Sequence, residues 1–214
     1  MIFGRIDYLN LLPFYVFLKR YHPRLLQMSN FKKGPPSAIN RLYKRRAIDA
    51  GIISSIRSRK QKGANIGLIA HNEVTSVLVL EGDFRADEES ETSNALAKLL
   101  GLKGRVAIGD KALKLFVGGA KAIDLALEWQ KRHKSPFVFA RLCYTKGDRL
   151  IKRIEKQFFR RMTRRVPQFI LQDRAKKSEI AVDEISAYLN RLEYRIDKKA
   201  AKALKKFLFL AKGL

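Results

Sequence analysis

The chain has 214 residues, 46% of them hydrophobic, so it is long enough and apolar enough to fold around a substantial core. Lys and Arg number 45 against 20 Asp and Glu, a formal net charge of +25. No apolar run approaches the roughly 18 residues that span a membrane, and the N-terminus lacks the features of a signal peptide. A single cysteine, Cys143, excludes an internal disulfide and fits a reducing cytoplasm.

The excess of positive charge predicts an attraction to anions. Nucleic acid, acidic lipid and small anionic substrates all carry the required charge, and charge alone does not choose among them. A basic, solvated surface without any partner is the alternative reading. Basic and apolar residues mix in "FFRRMTRRV" and "KKAAKALKK" near the C-terminus. We expect these two segments to form solvated helix faces and not a nucleic-acid-binding site. We also expect that the protein has no membrane partner.

The first third of the chain predicts alternating strands and helices. Pro13 opens a helix over residues 11–21, and "KKGPPSAINRLYKRR" predicts a turn followed by a helix of about ten residues. The order β-α-β-α-β favours a mostly parallel sheet. The predicted strands of this part are residues 2–6, 24–28, 48–55, 64–70 and 73–82.

The composition changes at residues 83–94, the only strongly acidic stretch, which leads into a predicted helix over 92–101. "RVAIGDKAL" predicts a strand, a Gly-Asp turn and a helix start, "GGAKAIDLALEWQKRHK" a helix, and "SPFVFARLCYT" a strand. After Gly147 the pattern is helical throughout. Three apolar stripes mark these helices: Leu150, Ile151, Ile154, Phe158 and Met162; Ile180, Ile185, Tyr188, Leu189 and Leu192; Leu204, Phe207, Leu208 and Leu210.

Two predicted strands, 74–80 and 136–144, bracket a short segment, which indicates an inserted lobe. We predict a larger α/β lobe from residues 1–81 and 136–214, with a smaller lobe over 82–135. Two lobes joined by two crossover strands leave a cleft between them, and such clefts are common ligand sites.

Metal chemistry is not indicated, because His22, His71 and His133 lie far apart and only one cysteine is present. No nucleophile elbow or phosphate-binding loop occurs. Instead, small hydroxyl and amide residues stand where strands end or helices begin. Such residues either cap helices or present polar groups to a carboxylate. They are Asn10, Ser54, Ser55, Ser76, Thr92 and Ser93.

Six segments in chain order resemble the chorismate dehydratase family of the futalosine route to menaquinone. They span about residues 2–165 and read "GRIDYLNLLPFY", "GPPSAINRLYKRRAIDAGIISSI", "EVTSVLVL", "SETSNALAKLL", "AIGDKAL" and "SPFVFA". Three departures stand out: a very short interval from Leu100 to Val106, "RLCY" where the family often has a tryptophan, and a basic tail after about Arg165 that matches no motif. The resemblance implies an α/β, two-lobed fold like that of type II periplasmic solute-binding proteins, with a ligand cleft.

The resemblance also implies roles for particular residues. The family's catalytic asparagine and serine fall on Asn10 and Ser76. Its Thr-Ser helix start falls on Thr92 and Ser93, and its Gly-Asp turn on Gly109 and Asp110; with Ser54 and Ser55 these are the expected substrate-binding residues. Loss of water makes the chorismate ring aromatic, so we expect no cofactor and no metal. We expect the enolpyruvyl carboxylate of the substrate to take the ring proton, with Asn10 orienting the reacting groups.

Three alternatives stay open at this point. The first is a binding protein for a small acid with the same fold and no chemistry. The second is the sister enzyme that makes dihydroxynaphthoate, which is expected to use a histidine base, whereas the histidines here lie outside the matched segments. The third is a nucleic-acid-binding role for the tail. The oligomeric state does not follow from the sequence.

Overall fold

The computed structural model describes residues 1–161 and 166–213 and contains two sheets. The larger sheet has the strand order β1-β2-β7-β3-β8, and the smaller has the order β5-β4-β6. The strands are β1 (Phe3–Gly4), β2 (Ala50–Ser54), β3 (Gly63–Ala70), β4 (Val77–Leu80), β5 (Arg105–Ile108), β6 (Ala122–Asp124), β7 (Phe137–Tyr144) and β8 (Leu192–Arg195).

The helices pack around these sheets and supply most of the connections. They are α1 (Leu12–Tyr21), α2 (Pro23–Ser29), α3 (Pro36–Lys44), α4 (Glu91–Leu99), α5 (Gly109–Val117), α6 (Leu125–His133), α7 (Asp148–Arg161), α8 (Gln168–Ser178), α9 (Val182–Asn190) and α10 (Lys198–Leu210). Short 3₁₀ turns occur at Leu9–Leu11, Asn30–Lys32, Ser55–Ser58 and Ala211–Gly213. In the part of the chain that is described, no helix is both long and apolar enough to cross a bilayer.

The expectation of a mixed α/β fold with two lobes is confirmed, but the expectation of a mostly parallel sheet is wrong. Among the described strands of the larger sheet, only β1 and β2 pair in parallel, whereas β7 runs antiparallel to both β2 and β3, and β8 runs antiparallel to β3. The reason is that β7 returns from a distant part of the chain and separates β2 from β3. The local β-α-β order contains no information about that insertion.

Three secondary-structure predictions also fail. Residues 24–28 form α2 and not a strand, because Pro23 at the first helical position starts a helix directly after α1. The strands β6 and β8 lie within segments that were predicted to be helical. Both are only three or four residues long, and both are stabilised by pairing with strands distant in sequence.

The two sheets divide the chain differently from the predicted lobes. The prediction placed residues 74–80 in the larger lobe, whereas β4 pairs with β5 and β6. We therefore propose that the chain leaves the larger lobe between Ala70 and Val77 and re-enters it between His133 and Phe137.

The C-terminal region is part of the core. The stripe on α7 buries Ile151, Ile154 and Phe158, and the Phe158 ring meets Phe14 of α1 edge-on at 5.2 Å between centroids. The stripe continues at Met162, which lies outside the described residues. The second stripe is buried throughout, and α10 buries Leu204 and Phe207 while Leu210 is exposed. The basic helices therefore dock on the larger sheet through their apolar faces.

Truncating Phe158 tests this docking. We expect Phe158→Ala to lower the free energy of unfolding by about 3–5 kcal/mol, because a fully buried ring leaves a cavity. Phe209→Ala is the control, since that ring on α10 is 69% exposed, and we expect a change within about 0.5 kcal/mol. Urea unfolding followed by circular dichroism measures both. Equal losses for the two variants would contradict the docking.

Candidate active site between the two sheets

A small, partly open cavity of about 60 Å³ lies where the two sheets face each other. Its wall combines strands β2, β3 and β7 of the larger sheet, the start of β4 and the end of β5 in the smaller sheet, the starts of α3, α4 and α5, and the 3₁₀ turn before α1. Five of the eight predicted site residues line it, namely Asn10, Ser54, Ser76, Ser93 and Gly109. The structure does not place the other three, Ser55, Thr92 and Asp110, in the wall.

Asn10 is 7% exposed and sits in the turn that redirects the chain from β1 into α1. Its backbone carbonyl accepts a hydrogen bond from the Tyr194 hydroxyl at 2.8 Å. The neighbouring Leu9 N–H donates to Asp110 Oδ1 at 3.0 Å. These two contacts hold the turn from opposite lobes, which leaves the Asn10 side chain at the cavity wall.

Ser76 stands opposite Asn10 at the entry to β4 and is buried. Tyr188 of α9 donates its hydroxyl to Ser76 Oγ at 2.8 Å, and the Asn10 side chain also interacts with that hydroxyl. Burial raises the pKa of Tyr188, although the contacts with Ser76 and Asn10 act in the opposite direction. The hydroxyl therefore keeps its proton and serves as a donor. One tyrosine links the two residues predicted to be catalytic.

The backbone before Ser76 is strained. Thr75 has φ of +61°, a region that β-branched residues rarely occupy and that costs about 1–3 kcal/mol. Asp124 compensates, since its Oδ2 accepts the N–H groups of Val74 at 2.9 Å and Thr75 at 2.6 Å. Because the same carboxylate caps α6 through Oδ1, the crossover strand is tied to a helix of the smaller lobe.

Gly109 is required at the start of α5. Its φ is +67°, and a Cβ at this position would lie 2.7 Å from Cε2 of Tyr8. The glycine allows the Tyr8 ring to close one side of the cavity, and the Gly109 N–H donates to the Ser76 carbonyl at 2.9 Å. The Tyr8 hydroxyl donates to Glu89. Burial, together with Glu89, raises the pKa of Tyr8, so this group is also neutral.

Two serines in the wall are oriented by neighbours. Asn40 of α3 donates to Ser54 Oγ at 2.7 Å and accepts from the Ser54 N–H at 3.1 Å. Because Ser54 Oγ already accepts a hydrogen bond from Asn40, the Ser54 hydroxyl can donate its own proton to a ligand in the cavity. Ser90 caps α4 by accepting from the Ser93 N–H at 3.2 Å, and it donates to Ser93 Oγ at 2.8 Å.

Ser55 and Thr92 bond within the protein. The Ser55 hydroxyl donates to the Val138 carbonyl. Thr92 Oγ1 accepts the Ile56 N–H at 3.1 Å and so joins α4 to the turn Ser55–Ser58. The ion pair of Arg57 with Glu91 spans the same junction, with 2.7 Å between Nη2 and Oε1. These contacts hold the two lobes against each other in the closed form seen here.

Asp110 lies behind the wall, where burial raises its pKa to about 6, while the Leu9 N–H acts in the opposite direction. Its carboxylate links α5 of the smaller lobe to the turn that carries Asn10. Asp110 is thus placed to support Asn10 through the backbone.

The sequence patterns did not single out Tyr8, Asn40, Tyr188 and Tyr194 as site residues. Tyr8 and Asn40 are inside the segments that carry the family resemblance. Tyr188 and Tyr194 lie in the C-terminal tail that matched no motif, so only the folded chain brings them to the cleft.

The histidines lie away from the cavity. His22 bonds Gln157 through Nε2 at 2.8 Å, His71 is exposed, and His133 packs on Trp129 with 4.0 Å between ring centroids. Among the described residues, no cluster of His, Cys, Asp and Glu could hold a metal ion.

Comparison with known proteins places the chain in a family. A family model described as menaquinone biosynthesis matches residues 101–212. A chorismate dehydratase from Campylobacter jejuni subsp. jejuni serotype O:23/36 (strain 81-176) is 42% identical over 221 residues, which cover 100% of this chain and 99% of that protein.

Solved structures are similar in fold. The crystal structure of a protein from Archaeoglobus fulgidus has a TM-score of 0.65 at 13% identity, over 99% of this chain and 96% of that one. The periplasmic aliphatic sulphonate binding protein from Escherichia coli has a TM-score of 0.49 at 12% identity, over 98% and 91%.

The fold and the cavity define a two-lobed α/β protein with a small, largely apolar site between its lobes, into which a few hydroxyl and amide groups converge. The full-length likeness narrows this class to one family. The chain belongs to the chorismate dehydratase family of menaquinone biosynthesis.

The raised pKa of Asp110 gives a test of the site's electrostatics. An ionised carboxylate is disfavoured in the folded state above pH 6, because the folded pKa exceeds the unfolded value of 3.8. Asp110→Asn should therefore raise the free energy of unfolding at pH 7.5 by about 3 kcal/mol, and the gain should vanish as the pH falls towards 4. Urea unfolding at several pH values measures this.

The control for that experiment is Asp173→Asn, which changes an exposed carboxylate in α8. We expect no such gain from it. A stability difference between Asp110→Asn and the parent chain that stays constant from pH 4 to 7.5 would contradict the assignment.

Proposed function

We propose that the chain is a chorismate dehydratase, a carbon–oxygen lyase that converts chorismate to 3-[(1-carboxyvinyl)oxy]benzoate and water. The observation that carries this proposal is the meeting of Asn10 and Ser76 in one cavity, in a chain 42% identical to a curated enzyme of that name. We propose a cytoplasmic location, as suits a relative of a biosynthetic enzyme.

The mixture of apolar surface and hydroxyl donors in the cavity suits this substrate. Chorismate is a ring compound with two carboxylates, an enol ether and a hydroxyl, so it needs donors for its oxygens and apolar surface for its ring. Ser54 and Ser93 supply hydroxyl donors. Ile52, Leu68 and Phe139 supply apolar surface from the larger sheet.

The lobes must separate to admit chorismate. The cavity of about 60 Å³ is far smaller than the roughly 300–1,000 Å³ of typical small-molecule pockets, so in this form it is too small for a substituted six-membered ring. The contacts of Thr92 with the Ile56 N–H and of Arg57 with Glu91 join the lobes and would open and re-form in each cycle. Closure around the substrate excludes water and strengthens its hydrogen bonds.

The reaction breaks one ring C–H bond and the ring C–OH bond, and the proton and the hydroxide leave as water. The groups in the wall that bear protons are hydroxyls and an amide, and the pKa values of Tyr8 and Tyr188 are raised, so these groups are donors at neutral pH. Asp110 has a pKa suited to a base, but it bonds Leu9 behind the wall. We therefore assign proton removal to the enolpyruvyl carboxylate of the substrate itself.

Asn10 and Ser76 then have orienting roles. The Asn10 amide can donate to one oxygen and accept from a hydroxyl at the same time, so it can align the carboxylate with the ring proton. Ser76 can donate to the departing hydroxyl while its oxygen accepts from Tyr188. The position of the three histidines outside the cavity disfavours the sister reaction, for which a histidine base was expected.

The direct test is turnover of chorismate with identification of the product by mass. Asn10→Ala and Ser76→Ala should each lower kcat by about a hundredfold or more, the usual cost of losing one preorganised donor. Asn72→Ala and Ser186→Ala are the controls, because Asn72 is exposed and Ser186 bonds within α9. Circular dichroism checks that all variants fold.

Two results would contradict the proposal. Saturable chorismate binding by the parent chain without any product would favour a binding protein without chemistry. Near-normal turnover by Asn10→Ala or Ser76→Ala would remove that residue from the mechanism.

Tyr188→Phe tests how the two residues are positioned. Loss of the hydroxyl frees Ser76 and Asn10 to move, so we expect kcat to fall about ten- to a hundredfold while KM changes little. Tyr21→Phe removes a hydroxyl outside the cavity and should keep full activity. A Tyr188→Phe enzyme with unchanged kcat would contradict the positioning role.

A further inference from the structure

A second pocket of about 440 Å³ opens on the larger lobe, on the other side of α3 and the turn Ser55–Ser58 from the cleft. Four cationic side chains line it: Lys44, Arg46, Arg57 and Arg59. They come from two separate segments, the C-terminal end of α3 and the turn that follows β2.

Little in the described residues neutralises this charge. Arg57 forms the ion pair with Glu91. Arg59 donates Nη2 to the Leu208 carbonyl, but its buried Nε has no partner among the described residues. Lys44 and Arg46 form no ion pair within residues 1–161 and 166–213, and both are exposed. The dipole of α3 attracts cations to its C-terminal end, which accounts for Lys44 but not for the two arginines of the turn.

A buried donor without a partner among the described residues lies beside the same pocket. Tyr43 is 6% exposed and lines the pocket, yet its hydroxyl has no hydrogen-bond partner among the described residues. Buried polar groups of this kind are rare and costly unless water, a ligand or an ion satisfies them. Burial raises the pKa of Tyr43 to about 12, so the hydroxyl keeps its proton and can donate to an anion.

We propose that this pocket binds a small oxyanion of the phosphate class, as free phosphate or as a phosphate monoester. Guanidinium groups match the geometry of phosphate oxygens, and a doubly charged anion gains most from several cations in one place. Lys44 and Arg46 neutralise the anion at the rim, while Tyr43 and the Nε of Arg59 donate to it inside.

The pocket adjoins the cleft through Asn40, which lines the pocket and also orients Ser54. It adjoins the junction of the lobes through Arg57, whose guanidinium bonds Glu91. An anion in the pocket therefore contacts the two side chains that connect this face of the larger lobe with the cavity and with α4.

Isothermal titration of the full chain with inorganic phosphate and with glycerol 3-phosphate, at constant ionic strength in chloride, tests the proposal. The parent chain should bind at least one of the two anions saturably at one site. The anion that binds more tightly shows whether the pocket prefers free phosphate or a phosphate monoester. Lys44→Gln combined with Arg46→Asn should lower the affinity about tenfold or more, through lost charge-assisted hydrogen bonds.

A matched pair of substitutions provides the control. In the control variant, Arg132→Gln is combined with Lys134→Asn. Arg132 lies in the last turn of α6, as Lys44 does in α3. Lys134 follows its helix in the left-handed conformation with φ of +51°, as Arg46 does with φ of +57°. This variant should bind like the parent. An equal loss of affinity in both variants would show that only the overall charge matters and would overturn the proposal.

Tyr43→Phe separates binding from folding. Because the hydroxyl has no partner among the described residues, its removal should leave the melting temperature unchanged or raised. It should nevertheless weaken binding of the anion about tenfold. Parent-like affinity in Tyr43→Phe, or no saturable binding of either anion by the parent chain, would overturn the proposal.

Discussion

The hydroxyl of Tyr188 is the contact on which the candidate site depends. It donates to Ser76 at the entry to β4 and interacts with the side chain of Asn10, so a helix near the C-terminus fixes two residues from distant segments. Tyr194 adds a bond to the Asn10 carbonyl. The burial of α9 and the pairing of β8 with β3 are therefore conditions for the geometry of the cleft.

The site is neutral in a strongly basic protein. The excess of Lys and Arg lies on the outside of the fold, while the cavity presents hydroxyls, an amide and apolar side chains. Hydroxyl and amide groups hold a substrate without supplying a base at neutral pH, which is why the account assigns proton removal to a substrate carboxylate. The raised pKa of Asp110 has a related cause, because burial behind Asn10 disfavours the ionised carboxylate.

The sequence predicted the parts of the site that depend on local patterns, and missed the parts that depend on long-range pairing. Asn10, Ser76 and Gly109 stand at strand ends and helix starts, and these positions were readable from turn chemistry and from the family resemblance. The insertion of β7 between β2 and β3 was not, because no local signal records which strands become neighbours. Likewise, Tyr188 appeared only as one apolar position in a stripe, and its hydroxyl found a partner through folding. Ser55 and Thr92 resembled ligand residues by type, but their hydroxyls bond within the protein.

A crystal structure of the Asn10→Ala variant with chorismate bound is the most direct test of the central claim, that the cleft between the sheets is where this substrate is held and oriented. We expect the lobes to be open, or closed again around the substrate, with the ring between the two sheets and carboxylate oxygens within hydrogen-bonding distance of Ser54, Ser76 or Ser93. Chorismate bound elsewhere on the molecule, with the cleft still closed and empty, would contradict it.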